Sequence, residues 1–225
     1  MSERECDPYL KPYREAVKRF GAGFQALLWS SPEAQRTRFD VMIDLIGSGR
    51  MGAACGAAAE DQRGLDESVV LDVGCGTGDF AQRLIERGVN FARYIGVDAV
   101  SEMIDAAQSR QLERCEFIAG DVLNDPAILE GSRRDFISIS GTLNTMDEDT
   151  ARRLVHMCFN AATRGVAFNF LSNRPDEQWK GHDLGPARRF DTVRWLDWSL
   201  HLTSLVRFAQ DYLEGHDATI VMRRE

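Results

Sequence analysis

The stretch VVLDVGCGTGDFAQRL, from Val69 to Leu84, joins an apolar run, an acidic residue, three glycines at every second position and an amphipathic segment. The run from Val69 to Val73 is typical of a strand covered on both faces, and the apolar residues after the glycines recur at helical spacing. The glycines therefore lie in a strand-to-helix turn. Backbone N–H groups in such a turn approach a ligand closely, and the helix N-terminus adds positive partial charge. This pattern favours a nucleotide-like ligand.

The composition argues against several classes of protein. The chain has 225 residues, of which 44% are hydrophobic and 28% are charged, as is typical of one globular α/β domain with additions. Its net charge of -8 and its pI near 5.1 argue against a nucleic-acid-binding surface, which is usually basic. We therefore expect a small-molecule substrate as the partner, and no nucleic acid.

Cysteine usage and hydropathy bear on the compartment. The five cysteines, at positions 6, 55, 75, 115 and 158, are odd in number and form no Cys-x-x-Cys pair. This pattern fits neither a disulfide framework nor a zinc site, so we expect reduced thiols and a cytoplasmic protein. The opening residues lack the apolar core of a signal peptide, and no apolar run approaches membrane-spanning length. The sequence predicts no membrane association and does not indicate an oligomeric state.

Strands and helices alternate after the glycine turn. Four further strands are predicted within ARYIGVDA, CEFIAGDV, RRDFISISGTLN and GVAFNFLS, with helices at SEMIDAAQSRQ and at residues 147–163. This alternation predicts an α/β fold with a parallel sheet and right-handed crossovers. The last two strands, in LTSLVRFAQDYL and ATIVMRR, are joined only by EGHD, so they must form an antiparallel hairpin. The expected sheet is mostly parallel and has seven strands.

Two helices precede the sheet, in DPYLKPYREAVKRFG and in SSPEAQRTRFDVMIDLIG. Ser30 or Ser31 can cap the second helix, and Gly47 can end it. The segment SGRMGAACGAAAEDQRGLDES is small, polar and aperiodic, which predicts a loose connector. We expect one domain over residues 1–225, composed of an N-terminal helical cap (1–50), a connector (51–67) and a cofactor-binding core (68–225).

Two classes of cofactor compete for a glycine-rich turn after the first strand. The dinucleotide fingerprint Gly-x-Gly-x-x-Gly requires glycine at its sixth position, where this chain has Asp79. A carboxylate there would face a pyrophosphate unfavourably, and Asp72 just before the turn suits an ammonium group. S-adenosylmethionine carries an ammonium group and no phosphate, so the sequence favours it over a nicotinamide dinucleotide.

At these residues the chain resembles the class I S-adenosylmethionine-dependent methyltransferases. LDVGCGTG resembles their first motif, YIGVDAVSEMIDAA the second and FIAGDV the third, and a terminal antiparallel hairpin is typical of their fold. The resemblance covers residues 68–225 and implies a Rossmann-like sheet, here with N-terminal helices, and a methyltransferase activity. The opening helices, with LLWSSPEAQRTRF, resemble a group of small bacterial members.

The resemblance also implies roles for individual residues. Asp72 and the backbone of residues 74–78 would hold the methionine part, Asp98 the ribose hydroxyls, and Asp121 the adenine amine. A lone acid at a strand end is often only a turn or helix cap, but two in this order on one sheet edge favour a site. The expected cofactor-binding residues are Arg38, Asp72, Gly74, Cys75, Gly76, Gly78, Asp98, Ala99, Met103, Asp121, Val122, Ser140 and Asn144.

Several residues outside these motifs have two interpretations each. Arg38 would pair with the cofactor carboxylate or lie on a solvated helix face, and Trp29 would cover the pocket or belong to the core. The irregular loop SNRPDEQWKGHDLGPARRF contains His182, a candidate general base, and Arg188, which could attract an acidic substrate. The substrate candidates are Trp29, Trp179, His182 and Arg188. No catalytic residue is assigned, and no metal is expected, because acids follow the fourth strand only where a helix starts.

The predicted function is methyl transfer from S-adenosylmethionine to a small-molecule acceptor by in-line displacement. The sequence SGTLNT follows the fourth strand, where methylases of bases or glutamine amides often have Asn/Asp-Pro-Pro-aromatic, so those acceptors are disfavoured. Two alternatives stay open. One is a non-catalytic S-adenosylmethionine-binding regulator or partner subunit, and the other is a nicotinamide oxidoreductase.

Overall fold

A computed structural model describes residues 7–47, 64–131 and 133–224 of the chain. Its strands are β1 (Val69–Val73), β2 (Arg93–Asp98), β3 (Cys115–Ala119), β4 (Phe136–Ile139), β5 (Gly165–Leu171), β6 (Val206–Ala209) and β7 (Asp217–Arg223). They form one sheet in the order β3-β2-β1-β4-β5-β7-β6. Strands β1 to β5 are parallel, and β7 is antiparallel to both β5 and β6. The predicted α/β fold with a terminal antiparallel hairpin is confirmed.

Helices cover both faces of this sheet. They are α1 (Lys11–Phe20), α2 (Pro32–Gly47), α3 (Asp79–Glu86), α4 (Ser101–Ser109), α5 (Glu148–Ala161) and α6 (Thr192–Leu202). Buried side chains of α2, α3 and α4 pack on one face, and those of α5 and α6 pack on the other. The α2 cap is Ser31, whose Oγ accepts a hydrogen bond from the backbone N–H of Ala34 at 3.0 Å.

Coverage on both faces explains the unbroken apolar strands. Side chains alternate across a strand, so Val70 packs on the α2 face while Leu71 packs on the α5 face. Both are fully buried. The parallel strands all end at one edge of the sheet, and the loops after β1 to β5 therefore meet there.

The chain beyond β5 differs from the sequence-based expectation. The strand predicted over residues 202–213 is only Val206–Ala209, because α6 continues to Leu202 and the chain leaves the sheet after Ala209. Asp191 caps α6 by accepting hydrogen bonds from two backbone N–H groups. The connection to β7 spans residues 210–216, longer than the predicted EGHD.

Part of the predicted organisation lies outside the described residues, including most of the connector at 51–67 as well as Cys6 and Cys55. Cys75, Cys115 and Cys158 are free thiols. Across the three described ranges, each helix is too short or too polar to cross a membrane.

Candidate cofactor and active site

The turn between β1 and α3 has a backbone that only glycine adopts readily. Gly74, Gly76 and Gly78 have φ of 77°, 53° and 81°, in the left-handed region. A Cβ on Gly74 would lie 2.1 Å from Oγ1 of Thr142, and one on Gly76 would lie 2.6 Å from Cδ2 of Leu27. The spacing of the glycines thus reflects both backbone conformation and close approach of neighbours.

A cleft opens beside this turn at the carboxyl edge of the sheet. It encloses about 750 Å³ of space, open solvent at its mouth included. Eight of the predicted cofactor ligands line it: Gly74, Gly76, Asp98, Ala99, Met103, Asp121, Val122 and Ser140. The topology therefore brings together residues from four different loops.

Asp98 ends β2 and is held by the backbone on two sides. Its Oδ2 accepts a hydrogen bond from the N–H of Gly76, and its Oδ1 accepts one from the N–H of Val100, both at 2.9 Å. Burial raises the pKa of this carboxyl above its ordinary value, although the two backbone donors oppose that shift. Each oxygen keeps further acceptor capacity, which matches a vicinal diol.

Asp121 lies two residues beyond β3, where a turn directs its carboxylate to the cleft. Its Oδ1 accepts a hydrogen bond from the N–H of Leu123 at 3.0 Å. Its Oδ2 accepts from the hydroxyl of Tyr9 at 2.7 Å and from Nδ2 of Asn124 at 2.8 Å. The carboxylate is therefore oriented before any ligand arrives.

Asp72, a predicted ligand of the methionine part, is not among the cleft-lining residues. Its carboxyl accepts hydrogen bonds from the hydroxyls of Tyr94 and Ser138 inside the sheet. Burial raises the pKa of Asp72 to about 6, against the effect of these two donors. This geometry does not support the expectation that Asp72 faces an ammonium group, because its carboxyl is hydrogen-bonded to Tyr94 and Ser138 inside the sheet.

Cys75, Gly78 and Asn144 also lie outside the cleft lining. Cys75 is buried beneath the turn, and Gly78 packs towards the ring of Phe117. The side chain of Asn144 donates to the backbone carbonyl of Arg188 at 2.7 Å. Asn144 therefore joins the loop after β4 to the loop after β5 and does not point into the cleft.

Arg38 is buried, so the interpretation of a solvated helix face is wrong. Its Nε and Nη2 donate to the two carboxylate oxygens of Asp217, each at 2.6 Å. Its guanidinium carbon lies 4.9 Å from the ring centroid of Trp29, which lines the cleft. Nη1 is buried and has no hydrogen-bond partner among the described residues. The pairing in the structure is therefore with Asp217, with one donor left over.

The four substrate candidates fall into two groups. Trp29 lines the cleft and packs so closely on Gly141 that a Cβ there would lie 2.4 Å from the indole ring. Trp179 instead stacks on His216 with ring centroids 4.1 Å apart, and His182 contacts the edge of Trp179. His182 and Arg188 are exposed, and none of the last three lines the cleft.

Four cleft-lining residues near the N-terminus were not predicted from the sequence: Tyr9, Leu10, Tyr13 and Leu27. Tyr9, Tyr13 and Leu27 cover the cleft from the side opposite the sheet. The hydroxyl of Tyr13 donates to the carbonyl of Gly141 at 2.9 Å, and burial raises its pKa to about 12. The spacing of the tyrosines, four residues apart, was the available signal, but such spacing is as common in a core helix.

Comparisons with known proteins agree with this geometry. Residues 70–165 match the model of a family described as a methyltransferase domain. Magnesium protoporphyrin IX methyltransferase (ChlM) from Synechocystis PCC 6803 with bound SAH superposes with a TM-score of 0.67, at 14% identity over 97% of this chain and all of that chain. No curated protein sequence matches the chain significantly.

Two other similar solved structures are named for pyocyanin biosynthesis and for a small RNA, respectively. The pyocyanin biosynthetic protein PhzM has a TM-score of 0.57, with 20% identity over 97% of this chain and 69% of that chain. The small RNA methyltransferase HEN1 has a TM-score of 0.63, with 14% identity over 88% of this chain and 26% of that chain. At these identities the likeness concerns the fold.

The glycine turn, the strand-end acids, the strand order and the family match together define a class of enzyme. The fold is that of the class I S-adenosylmethionine-dependent methyltransferases, and residues 70–165 match a methyltransferase domain. The chain is a methyltransferase, and S-adenosylmethionine is its cofactor. These findings favour methyl transfer over the alternative of a nicotinamide oxidoreductase.

Proposed function

We propose that this methyltransferase acts on a small-molecule acceptor. The observation that carries the proposal is the cover of the cleft, where Tyr9, Tyr13, Leu27 and Trp29 face the sheet edge. Such an apolar, aromatic cover suits a small organic molecule, whereas a nucleic-acid site needs cations for phosphates. Among the described residues that line the cleft there is no Lys or Arg. ChlM and PhzM are named for small molecules, which supports the proposal by analogy.

The proposed cofactor contacts follow the cleft lining. The backbone of residues 74–78 would hold the methionine part, Asp98 the ribose hydroxyls and Asp121 the adenine amine. Ala99, Met103 and Val122 would border the adenine ring, and Ser140 would lie near the acceptor. Two features fit this cofactor. The glycine turn leaves space that side chains would otherwise fill, and backbone hydrogen bonds orient the carboxylates of Asp98 and Asp121 in the same cleft.

Arg38 lies outside the cleft lining, in contact with the lining residue Trp29, and would complete the cofactor site from there. Its Nη1 is a buried donor without a partner among the described residues, which is costly unless a ligand supplies an acceptor. The methionine carboxylate is an acceptor of the required charge. We include this contact in the proposal because the pair with Asp217 fixes the guanidinium while leaving Nη1 unused.

Catalysis would rest on alignment and exclusion of water. When bound, S-adenosylmethionine supplies an electrophilic methyl group. Ser140 and Gly141 at the end of β4, covered by Trp29, would hold the acceptor in line with that group. Alignment of this kind contributes roughly 7–11 kcal/mol in favourable cases. No general base is assigned, since His182 is exposed and lies outside the cleft lining.

Acceptor choice would depend on the N-terminal helices and on residues 173–190. Trp29 covers the cleft directly, and Trp179, His182 and Arg188 lie on the adjoining loop. A single domain and a cytoplasmic setting belong to the proposal, and the free thiols of the three described cysteines are consistent with that setting.

The test is product formation from S-adenosylmethionine carrying a labelled methyl group. The purified full chain is incubated with a panel of metabolites and, separately, with small and structured RNA. We expect labelled small molecules and formation of S-adenosylhomocysteine. Label that enters RNA at a higher kcat/KM than any metabolite would contradict the proposal. A Gly74→Ala variant serves as the inactive control.

A further inference from the structure

Asp121 is held from two directions by residues far apart in the chain. Tyr9 is 112 residues away, and its hydroxyl donates to Oδ2 at 2.7 Å, while Asn124 donates to the same oxygen from the adjoining turn. Oδ1 accepts only the backbone N–H of Leu123 among the described residues. A carboxylate offers about four lone-pair positions, so one position on Oδ1 is left.

We propose that Tyr9 is a positioning residue that sets the preference of this enzyme for an adenine base, by holding Asp121 so that Oδ1 accepts a hydrogen bond from the adenine amine. The inference rests on the proposed function, which places the adenine beside Asp121. It adds a residue from the N-terminal segment to the recognition of the base.

The chemistry of the pair supports this role. Burial and the neighbouring carboxylate raise the pKa of Tyr9 well above its ordinary value, so its hydroxyl stays a donor at physiological pH. Tyr9 and Asn124 both donate to Oδ2, so Oδ1 is the oxygen with acceptor capacity left for the base. A base with a carbonyl in place of the amine would set two acceptors against each other, which is unfavourable.

Tyr9 also covers the cleft, so a role as a simple cover must be separated from base reading. Tyr13 provides the matched control. It lines the same cleft four residues further on, and its hydroxyl donates to the carbonyl of Gly141 instead of to Asp121. Loss of cover would weaken binding of every adenosine analogue alike. Loss of base reading would change the ratio between two bases.

The experiment measures, by calorimetry, the dissociation constants of S-adenosylhomocysteine and S-inosylhomocysteine for the full chain. These two ligands differ at position 6 of the base, where an amine is replaced by a carbonyl, and at N1, which is an acceptor in adenine and an N–H donor in hypoxanthine. We expect Tyr9→Phe to lower the preference for the adenosyl ligand roughly three- to tenfold, and Asp121→Asn to lower it further. Tyr13→Phe should leave the ratio unchanged whatever it does to the two affinities.

Each outcome bears on the proposal separately from the proposed function. If Asp121→Asn lowers the preference but folded Tyr9→Phe retains the full ratio, the role of Tyr9 is wrong and the placement of adenine stands. If neither substitution moves the ratio, both are wrong, while methyl transfer to a small acceptor is untouched. Tyr9→Leu provides a second variant should Tyr9→Phe fail to fold, and thermal melts report the folding of each.

Discussion

Different kinds of hydrogen bond hold the floor of the cleft, formed by residues 74–78 and Asp98, and its roof, formed by Tyr9, Tyr13, Leu27 and Trp29. In the floor, Gly74 donates its backbone N–H to the carbonyl of Val97 at 2.8 Å, and Gly76 donates its N–H to Asp98. In the roof, Tyr9 and Tyr13 are attached through side-chain hydroxyls. The floor is therefore part of the sheet, whereas single substitutions can release the roof. From this difference we expect the floor to set most of the cofactor affinity, and the roof to set closure, acceptor choice and, through Tyr9 and Asp121, the preference for the base.

Gly74→Ala should give the largest effect on cofactor binding, because we place the methionine part of the cofactor against the backbone of residues 74–78. The added Cβ would lie 2.1 Å from Oγ1 of Thr142, at a φ of 77°. We expect binding of S-adenosylhomocysteine to weaken more than about a hundredfold, since a left-handed backbone costs roughly 1–2 kcal/mol even before the collision. Calorimetry measures the loss.

The control for Gly74→Ala is Gly88→Ala. Gly88 has a similar φ of 69° but no atom within 4 Å of the added Cβ. That variant should lose some stability and retain cofactor affinity. Equal affinity in both variants would contradict the assignment of the floor.

Asp98→Ala should have the next largest effect. It removes a carboxylate that we place on two ribose hydroxyls, and hydrogen bonds to charged groups contribute about 1.5–3 kcal/mol each. We expect the dissociation constant of S-adenosylhomocysteine to rise roughly ten- to a thousandfold. Asp105→Ala, on the exposed side of α4, is the matched control. Normal affinity in a folded Asp98→Ala protein would place the ribose elsewhere.

Asp72→Asn tests the buried carboxyl beneath the cleft through the pH dependence of the free energy of unfolding. The pKa of Asp72 is raised to about 6 from 3.8, so the folded state binds a proton more tightly than the unfolded state between these values. The free energy of unfolding of the wild type should therefore fall as pH rises through that window, by about 2–3 kcal/mol, and level off above it. Asp72→Asn should lack this decline. Urea denaturation at a series of pH values measures this. If the free energy of unfolding depends on pH in the same way in both proteins, the pKa of Asp72 is not raised.

Substitutions in the loop beyond β5 should have the smallest effect on cofactor binding. Trp179→Ala, His182→Ala and Arg188→Ala lie outside the cleft lining. We expect S-adenosylhomocysteine affinity within a few fold of the wild type and reduced kcat/KM for the acceptor found in the panel. A loss of cofactor affinity in these folded variants would contradict the assignment of this loop to acceptor choice.

The sheet and the floor could be predicted because their signals are local. The apolar run before Gly74, the glycine spacing and the acids after β2 and β3 each report a strand end directly. Two features were not predicted, α6 and the partner of Arg38. The first had a signal in the sequence that was not used, and the second had none. The capping pattern at Asp191 marks α6 in the sequence, whereas nothing local distinguishes Arg38 paired with Asp217 from an arginine facing solvent.

By itself the sequence determined the fold class, the class of cofactor and the edge of the sheet at which the cofactor site lies. These depend on periodicity and glycine spacing, which act within a few residues. Only the tertiary structure decided the partners of side chains distant in sequence. Tyr9 reaches Asp121 across 112 residues, and Arg38 reaches Asp217 across 179. Such pairs depend on how α1 and α2 pack against the completed sheet, and this packing is a property of the whole molecule rather than of any one segment.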